Sequence, residues 1–338
     1  MTLIQYQPFE LRRPDSQYLD GLRKIHEEGV VQPASRQGAP STVHPWGHEM
    51  RFVIENGFPF PAERALGRAF HMFVGEVLWI LSGDTSKELL NKYGVEYWDP
   101  WCQDFQCDRH GLRHGDFGGT YGHQFRNFGA TWNRQEMRYN NDGFDQLAYI
   151  VDGLRENPHW RRWLITPFNP HDYDRVEIVP CHGELFFIAA NGELYLHLVQ
   201  RSGDWPIGVP SNMVMWSFAG MVIAELTEHR FRGMTHFVSN AHYYGDRNIS
   251  PENRHEGDQT SGVEILLSRE PLRFPTVQVK QPVVEALRMM LAGNIDPLAS
   301  PEINPEGLPY LDFLRVNVSL RDYNPHPPIA RELLPVSI

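Results

Sequence analysis

The sequence predicts an α+β fold, because helix-like and strand-like patterns are interspersed along one chain. Apolar residues at helical spacing between Asp15 and Gly29, and a mostly apolar segment from Phe70 to Leu81, predict helices. Two alternating apolar segments around an Asn-Gly pair predict a β-hairpin. With 338 residues the chain could form one large domain or two, but no repeat, low-complexity tract or composition shift marks a boundary.

The two predicted N-terminal helices differ in character. Leu19, Leu22 and Ile25 recur at the spacing that places apolar side chains on one helix face. The second helix is predicted to end at Ser82-Gly83-Asp84, and it carries Glu76 among apolar neighbours. A carboxylate in that position either faces water in a cleft or has a raised pKa.

The predicted hairpin joins strands at Leu185 to Ala189 and Leu194 to Val199 through Ala190-Asn191-Gly192. Asn and Gly both accept the positive φ angles of a two-residue turn. The segment from Val214 to His229 then predicts a buried helix. Segments that contain proline and glycine predict surface excursions, at Gln103 to Gly119, Pro251 to Gly262 and Asn294 to Pro309.

The composition argues against several classes of protein. Lysine and arginine number 31 against 42 aspartates and glutamates, so the net charge of −11 has the wrong sign for binding nucleic acid or an anionic membrane. Three cysteines rule out a disulfide scaffold and are typical of a reducing compartment. The first residues lack a signal-peptide pattern, and no apolar stretch reaches the ~20 residues of a membrane span. We therefore expect a cytoplasmic protein.

The densest polar cluster surrounds Cys181, at the start of the predicted hairpin. The second strand returns Arg201 beside this cysteine, and a nearby guanidinium lowers a thiol pKa. Arg201 and Ser202 could also bind a phosphate, with Arg161-Arg162 and Arg36 as further cations. A single cysteine at the start of a strand is more often a core residue, so both interpretations stay open at this point.

Other cysteine and histidine pairs are not favoured as sites. Cys181 and His182 are adjacent, so on a strand they would point to opposite faces and make a poor protease dyad. Cys102 and Cys107 have no second pair to complete a zinc site. Two histidines four residues apart, at positions 110 and 114, lie in a Gly- and Asp-rich loop, so we expect no metal centre.

Short motifs in one fixed order cover most of the chain, from about residue 18 to the C-terminus. They are Gly47-His48-Glu49-Met50-Arg51-Phe52, Glu76-Val77-Leu78-Trp79 with Gly83-Asp84-Thr85, Trp98-Asp99-Pro100-Trp101, Tyr121-Gly122-His123-Gln124, Arg161-Arg162, Pro180-Cys181-His182, Gln200-Arg201-Ser202-Gly203-Asp204, Gly208-Val209-Pro210 with Asn212, Ser268-Arg269-Glu270-Pro271, Tyr323-Asn324-Pro325-His326-Pro327 and Pro335-Val336-Ser337-Ile338. Together they closely resemble the thymidylate synthase family, to which the deoxypyrimidine hydroxymethylases are related. Residues 1–17 would then be an N-terminal extension, and the surface excursions would be insertions.

The resemblance implies a single α+β domain with a large mixed sheet, and a homodimer in which two such sheets pack together. It also implies active sites shared across the interface, because Arg161 and Arg162 match residues that the family takes from the partner subunit. Together with Arg36, Arg201 and Ser202, they would hold the 5′-phosphate of a nucleotide.

The resemblance further implies one-carbon transfer to C5 of a pyrimidine nucleotide, for which we expect dUMP. Cys181 would add to C6 and make C5 a nucleophile toward the methylene group of 5,10-methylenetetrahydrofolate, a co-substrate. Glu76 would organise water and protons at the base, with support from Tyr121 and His182.

Other residues match positions that bind the two ligands. Asn212 would read uracil, because its amide can both donate and accept, whereas relatives that act on cytosine carry an acidic residue there. For Trp98 and Trp101, core packing is the alternative to a ligand contact. The remaining expected contacts are Gln200, His242 and Tyr244 for the nucleotide, and Asp204, Trp98, Trp101, Ile207, Gly208 and Ile338 for the folate.

Three departures from the family pattern leave the product open. Ala62-Glu63-Arg64 alters a folate-tail loop, Ser211 replaces phenylalanine beside Asn212, and Ser239-Asn240 replaces Gly-Asp. A dry site would let tetrahydrofolate return a hydride and give a methyl group, whereas a wetter site would let water add and give a hydroxymethyl group. We expect methylation, with 5-hydroxymethylation as the alternative and a non-catalytic nucleotide-binding relative as a third hypothesis. The choice between deoxyribose and ribose stays open.

Overall fold

The structure, a computed structural model, describes residues 5–33 and 39–336 and mixes helices with strands, as the sequence predicts. The helices are α1 (Gln17–Glu28), α2 (Phe70–Ser82), α3 (Lys87–Lys92), α4 (Asp104–His110), α5 (Tyr121–Arg126), α6 (Gln146–Glu156), α7 (Gly208–Leu226), α8 (Thr260–Leu267), α9 (Gln281–Leu291) and α10 (Tyr310–Asn317). The strands are β1 (Val30–Gln32), β2 (Ser41–His44), β3 (His48–Val53), β4 (Trp132–Asn133), β5 (Arg138–Tyr139), β6 (Leu164–Ile165), β7 (Glu184–Ala190), β8 (Glu193–Asp204), β9 (Arg230–Tyr244), β10 (Thr276–Val279) and β11 (Val318–Arg321).

A seven-stranded mixed sheet organises the fold. Its order is β1-β2-β9-β8-β7-β6, and β3 pairs with the first half of the long strand β9 while β2 pairs with its second half. β8 and β9 run parallel, and such a pair needs a crossover, which α7 supplies. The predicted α+β class and large mixed sheet are confirmed.

The predicted hairpin is confirmed, and its strands are longer than expected. Asn191 and Gly192 have φ angles of 53° and 74°, so both occupy the left-handed region that a two-residue turn requires. β8 continues to Asp204 and therefore includes the polar residues that follow the apolar strand. One expectation is wrong: Cys181 precedes β7, because Gly183 has a φ of 97° and interrupts the extended backbone. The argument about opposite strand faces does not apply to it.

Two buried helices, α2 and α7, pack against each other and fill the core. Helix α7 is apolar around its whole circumference, which is typical of a helix buried on all sides. It begins at Gly208, six residues before the predicted start, since Pro210 lies in the first turn, where no helical N–H bond is lost. Within residues 5–33 and 39–336, no helix has both the length and the apolar character to cross a membrane.

The three segments expected to be surface excursions are partly buried. The first contains α4 and the buried residues Cys107 and Phe117. The second contains the fully buried Gln259, and the third contributes Leu298 and Ile303 to the core. These segments therefore support the fold, and whether they are insertions stays a prediction.

The loop before α2 contains a buried carboxyl group that makes stability depend on pH. Glu63 is only 2% exposed, and burial raises its pKa to about 7. A raised pKa means that the native state prefers the protonated form. The contribution of Glu63 to the free energy of unfolding is therefore fully present below its unfolded pKa near 4.5. It is lost as the pH rises through the folded pKa of about 7.

We expect Glu63→Gln, which cannot ionise, to be more stable than the wild type at pH 8 by about 2–3 kcal/mol, and nearly equal to it at pH 5. Urea unfolding at both pH values and one protein concentration measures the difference. A stability difference that does not change with pH would contradict the role given to Glu63.

Candidate active site

The predicted polar residues gather where the parallel strands β8 and β9 end. Because parallel strands have their carboxyl ends at the same edge of a sheet, the last residues of both strands are neighbours. Ser202 is paired with Asn240, and Asp204 with His242. Helix α7 starts four residues after β8 and adds Asn212, which is buried, beside this edge.

Cys181 lies against β8 next to Arg201. The backbone N–H of Arg201 donates to the Cys181 carbonyl at 2.9 Å, and the Arg201 Nη2 lies 3.4 Å from the Cys181 Sγ. Further bonds from the guanidinium to the carbonyls of Val179 and Pro180, both at 2.7 Å, fix its position. The Cys181 N–H donates to the Tyr121 hydroxyl at 2.8 Å. Arg201 therefore lies beside the Cys181 thiol, as expected, and the Tyr121 hydroxyl contacts the cysteine backbone.

The net effect on the thiol differs from the expectation. Arg201 lowers the pKa of Cys181, as predicted, but burial has the larger effect, and the pKa is raised. The free protein therefore holds a neutral thiol at Cys181.

Glu76, on α2, is 4% exposed and accepts one hydrogen bond on each carboxylate oxygen. The Trp98 indole N–H donates to Oε1 at 2.8 Å, and the Tyr97 hydroxyl donates to Oε2. Burial raises the Glu76 pKa to about 7 despite these two bonds, so of the two alternatives stated for this carboxylate the structure favours the buried one with a raised pKa. Tyr97 was missed, because nothing in the sequence around it signals a contact 21 residues away.

His182 is neutral and held in one tautomer. The Trp216 indole N–H donates to its Nδ1 at 3.1 Å, so Nε2 carries the proton. Burial lowers its pKa to about 3. Its ring lies 4.7 Å from the Tyr121 ring, measured between centroids, which places it in the Cys181 surroundings. It can donate through Nε2, but it does not carry a positive charge near neutral pH.

The residues expected to contact the nucleotide divide into two groups. His242 and Tyr244 lie together at the end of β9, with ring centroids 5.1 Å apart. The Gln200 amide instead bonds inside the protein, to His236 Nε2 at 2.7 Å and to the Ser202 carbonyl at 2.8 Å. Gln200 therefore links β8 to β9 beside the site through its hydrogen bond to His236.

Asp204 marks the side on which a folate is expected. Burial raises its pKa to about 7, and it accepts hydrogen bonds from Gln259 at 3.0 Å and from the Ile207 N–H at 3.3 Å. A Cβ added at Gly208 would meet no atom within 4 Å, so open space adjoins the start of α7. A half-buried carboxyl group beside open space fits a polar heterocycle. Gln259 was missed, since it lies 55 residues from Asp204.

Trp98 lies beside Tyr121 and Glu76, and Trp101 lies next to Trp98. The Trp98 and Trp101 ring centroids are 6.0 Å apart, and Trp98 also lies 5.9 Å from Tyr121. Because Trp98 donates to Glu76, it has a polar role beyond core packing.

Two predicted arginines are exposed, and two further predicted residues are not described by the structure. Arg161 and Arg162 are exposed in the connection before β6, where Arg162 lies over the Trp160 ring at 4.4 Å. Arg36 and Ile338 lie outside the described residues. In the part of the chain that is described, no group of three or more His, Cys, Asp or Glu side chains is placed to hold a metal ion.

Comparisons with known proteins agree with this arrangement. A family model described as thymidylate synthase matches residues 16–334. A thymidylate synthase of human herpesvirus 8 type P (isolate GK18) is 33% identical over 329 residues, which cover 96% of this chain and 85% of the relative. Thymidylate synthase 1/2 of Encephalitozoon cuniculi (strain GB-M1) is 32% identical over 333 residues, covering 96% and 99%. The chain therefore belongs to the thymidylate synthase family, an enzyme family of one-carbon-transferring methyltransferases.

Proposed function

We propose that this enzyme methylates C5 of dUMP with 5,10-methylenetetrahydrofolate as co-substrate, giving dTMP and dihydrofolate. The observation that carries the proposal is the Cys181 thiol held 3.4 Å from the Arg201 guanidinium beside the Glu76 network. The names of the two similar proteins support the same activity.

Cys181 is the nucleophile in this proposal. Its sulfur loses a proton and bonds to C6 of the pyrimidine, and the electron pair of the C5–C6 double bond moves toward the C4 carbonyl, so C5 becomes nucleophilic. Since burial favours the neutral thiol, Arg201 must supply the charge that stabilises the thiolate. The same guanidinium, with Ser202, also suits the 5′-phosphate.

Glu76 moves protons at the base. Its pKa of about 7 gives comparable populations of acid and carboxylate near neutral pH, so it can both accept and release a proton. Tyr121 and His182 complete the proton network around Cys181. Asn212 reads uracil through an amide that offers both a donor and an acceptor.

The folate supplies the one-carbon unit and then the hydride. Asp204 binds its polar heterocycle, together with Trp98 and Trp101 and the open space at Gly208. The residues beside Asp204 exclude water from C5, which the hydride step requires.

The active enzyme is a homodimer in this proposal, with Arg161 and Arg162 donated to the partner's phosphate site. Support comes from the sheet face opposite the core helices. One row across this face contains Ile188, 52% exposed, then Tyr195, Gly233 and the exposed Val53. Exposed apolar side chains in such a row suit contact with a second copy. We also propose a cytoplasmic location.

5-Hydroxymethylation remains a second candidate because of one residue. Ser211 is smaller and more polar than the phenylalanine that the family pattern leads us to expect beside Asn212. Water in the freed volume would compete with the hydride for C5.

One reaction tests the function. Purified enzyme with dUMP and methylenetetrahydrofolate is expected to form dihydrofolate, followed optically, and a nucleotide heavier by one methyl group, measured by mass. Cys181→Ser, the matched control, should keep nucleotide binding and lose turnover by roughly a thousandfold or more. A hydroxymethylated nucleotide without dihydrofolate would favour the second candidate, and undiminished activity of Cys181→Ser would exclude the covalent mechanism.

Asn212→Asp tests base recognition. An acidic side chain loses the amide donor and suits the amino group of cytosine, so we expect the ratio of kcat/KM for dCMP to that for dUMP to rise by roughly tenfold or more. Asn317→Asp, at a buried asparagine on α10, is the control for loss of an amide as such. An unchanged ratio in Asn212→Asp would mean that Asn212 does not read the base.

Mixed dimers test the shared site. Arg161→Ala and Cys181→Ala should each be inactive, whereas a heterodimer of the two contains one intact site. Random reassociation is then expected to restore about one quarter of the wild-type activity. Absence of activity in heterodimers isolated with two different affinity tags would exclude a site shared through Arg161.

A further inference from the structure

The Gln259 side chain joins three parts of the molecule that meet at the candidate site. Its Oε1 accepts from the Tyr244 backbone N–H at 2.9 Å, at the end of β9. Its Nε2 donates to Asp204 Oδ2 at 3.0 Å and to the Pro335 carbonyl at 2.9 Å. The side chain is fully buried. One amide therefore connects the end of β9, the Asp204 carboxyl group and the C-terminal tail. We define this tail as Leu333 to Val336.

The bonding leaves this amide a single orientation. Both N–H groups of Nε2 face acceptors, Asp204 and the Pro335 carbonyl, while Oε1 faces a donor. Turning the amide over would place its oxygen against two acceptors and bury unsatisfied groups, which is costly. Among the uncharged side chains, a long primary amide satisfies all three contacts at once.

A second observation places the tail on the same segment. A Cβ at Gly262 would lie 2.3 Å from the Leu333 carbonyl oxygen and 2.4 Å from Leu334 Cδ2, so only glycine leaves room there. Leu334 is buried, and the Leu333 and Leu334 N–H groups bond back to Ala330 and Arg331. The tail is thus packed and hydrogen-bonded against residues 259–262.

We propose that residues 259–262 form a seat for the C-terminal tail, and that Gln259 is a positioning residue that couples the tail to Asp204 and Tyr244. Displacing the tail removes one of the three hydrogen bonds that fix the Gln259 amide, so the neighbour of the Asp204 carboxyl is held less firmly. The affinity for the ligand bound by Asp204 therefore depends on the seated tail. That this ligand is a folate rests on the proposed function; the seating of the tail does not.

Gln259→Met tests the seat, since methionine has similar length without the amide. The matched control is Gln146→Met: the buried Gln146 amide also makes three bonds, to the Gln124 and Thr166 carbonyls at 2.8 Å and from the Thr166 N–H at 3.2 Å, away from the tail. Hydrogen exchange of the C-terminal peptide, measured by mass on full-length protein without ligands, reports tail opening. We expect exchange at least tenfold faster in Gln259→Met than in the wild type or Gln146→Met.

Gly262→Ala provides an independent variant, because it leaves Gln259 intact and obstructs the tail directly. It should accelerate tail exchange as Gln259→Met does, while exchange in the sheet stays at the wild-type rate, which also verifies folding. Equal tail exchange in Gln259→Met and Gln146→Met, or unchanged exchange in Gly262→Ala, would overturn the proposed seat.

Kinetics then test the coupling. Gln259→Met is expected to raise KM for methylenetetrahydrofolate about tenfold, with a smaller change in KM for dUMP. An unchanged folate KM in a variant with an open tail would overturn the coupling. An inactive wild-type enzyme would instead overturn the proposed function, while the exchange experiment would still decide the seat.

Discussion

The parallel pairing of β8 with β9 is the constraint on which the site depends. Antiparallel neighbours could be joined by a short turn, but this pair requires a crossover, and α7 provides it through the core. The pairing brings Asp204 opposite His242, although 38 positions separate them in the sequence. The crossover also starts α7 at the same edge, where it presents Asn212. The residues proposed to bind nucleotide and folate are therefore neighbours because of strand direction.

Burial determines which side chains of the candidate site are charged in the free protein. It raises the pKa of Glu76 and Asp204 to about 7, raises that of the Cys181 thiol, and lowers that of His182 to about 3. Each shift favours the uncharged form, so Cys181 and His182 are neutral near neutral pH, while Glu76 and Asp204 are only partly ionised. Hydrogen bonds from Tyr97, Trp98 and Gln259 oppose the shifts of the two carboxyl groups without cancelling them. In the proposed mechanism, Cys181 becomes a thiolate when a bound ligand changes the surroundings of its sulfur.

The parts that sequence reasoning predicted are those with local causes. The hairpin turn requires positive φ at two adjacent positions, and Asn191-Gly192 signals it directly. Glu76 was identified because a carboxylate within an apolar helix is unusual. The start of α7 was missed because Gly208 and Pro210 have loop character unless the helix is known to begin there.

Other features have no local cause that a sequence pattern could reveal. The bonds of Gln259 to Asp204 and Pro335 span 55 and 76 residues, and Tyr97 reaches Glu76 only because α2 and the loop after α3 meet in the fold. Cys181 was placed on a strand because Gly183 gave no sign that it would take a φ of 97°. Long-range contacts and single backbone angles limit prediction here.

In the proposed reaction, the choice between a methyl and a hydroxymethyl product depends on where water can enter. Ser211 was expected to make the base pocket wetter, yet its hydroxyl donates to the Gly208 carbonyl at 2.7 Å, within its own helix turn. A hydroxyl occupied in this way offers its remaining acceptor capacity, but no free proton, to a water molecule. What Ser211 contributes is therefore mainly its small volume. In the proposed reaction, exclusion of water therefore depends on the proposed seat of the tail beside Asp204 as well as on the volume at Ser211.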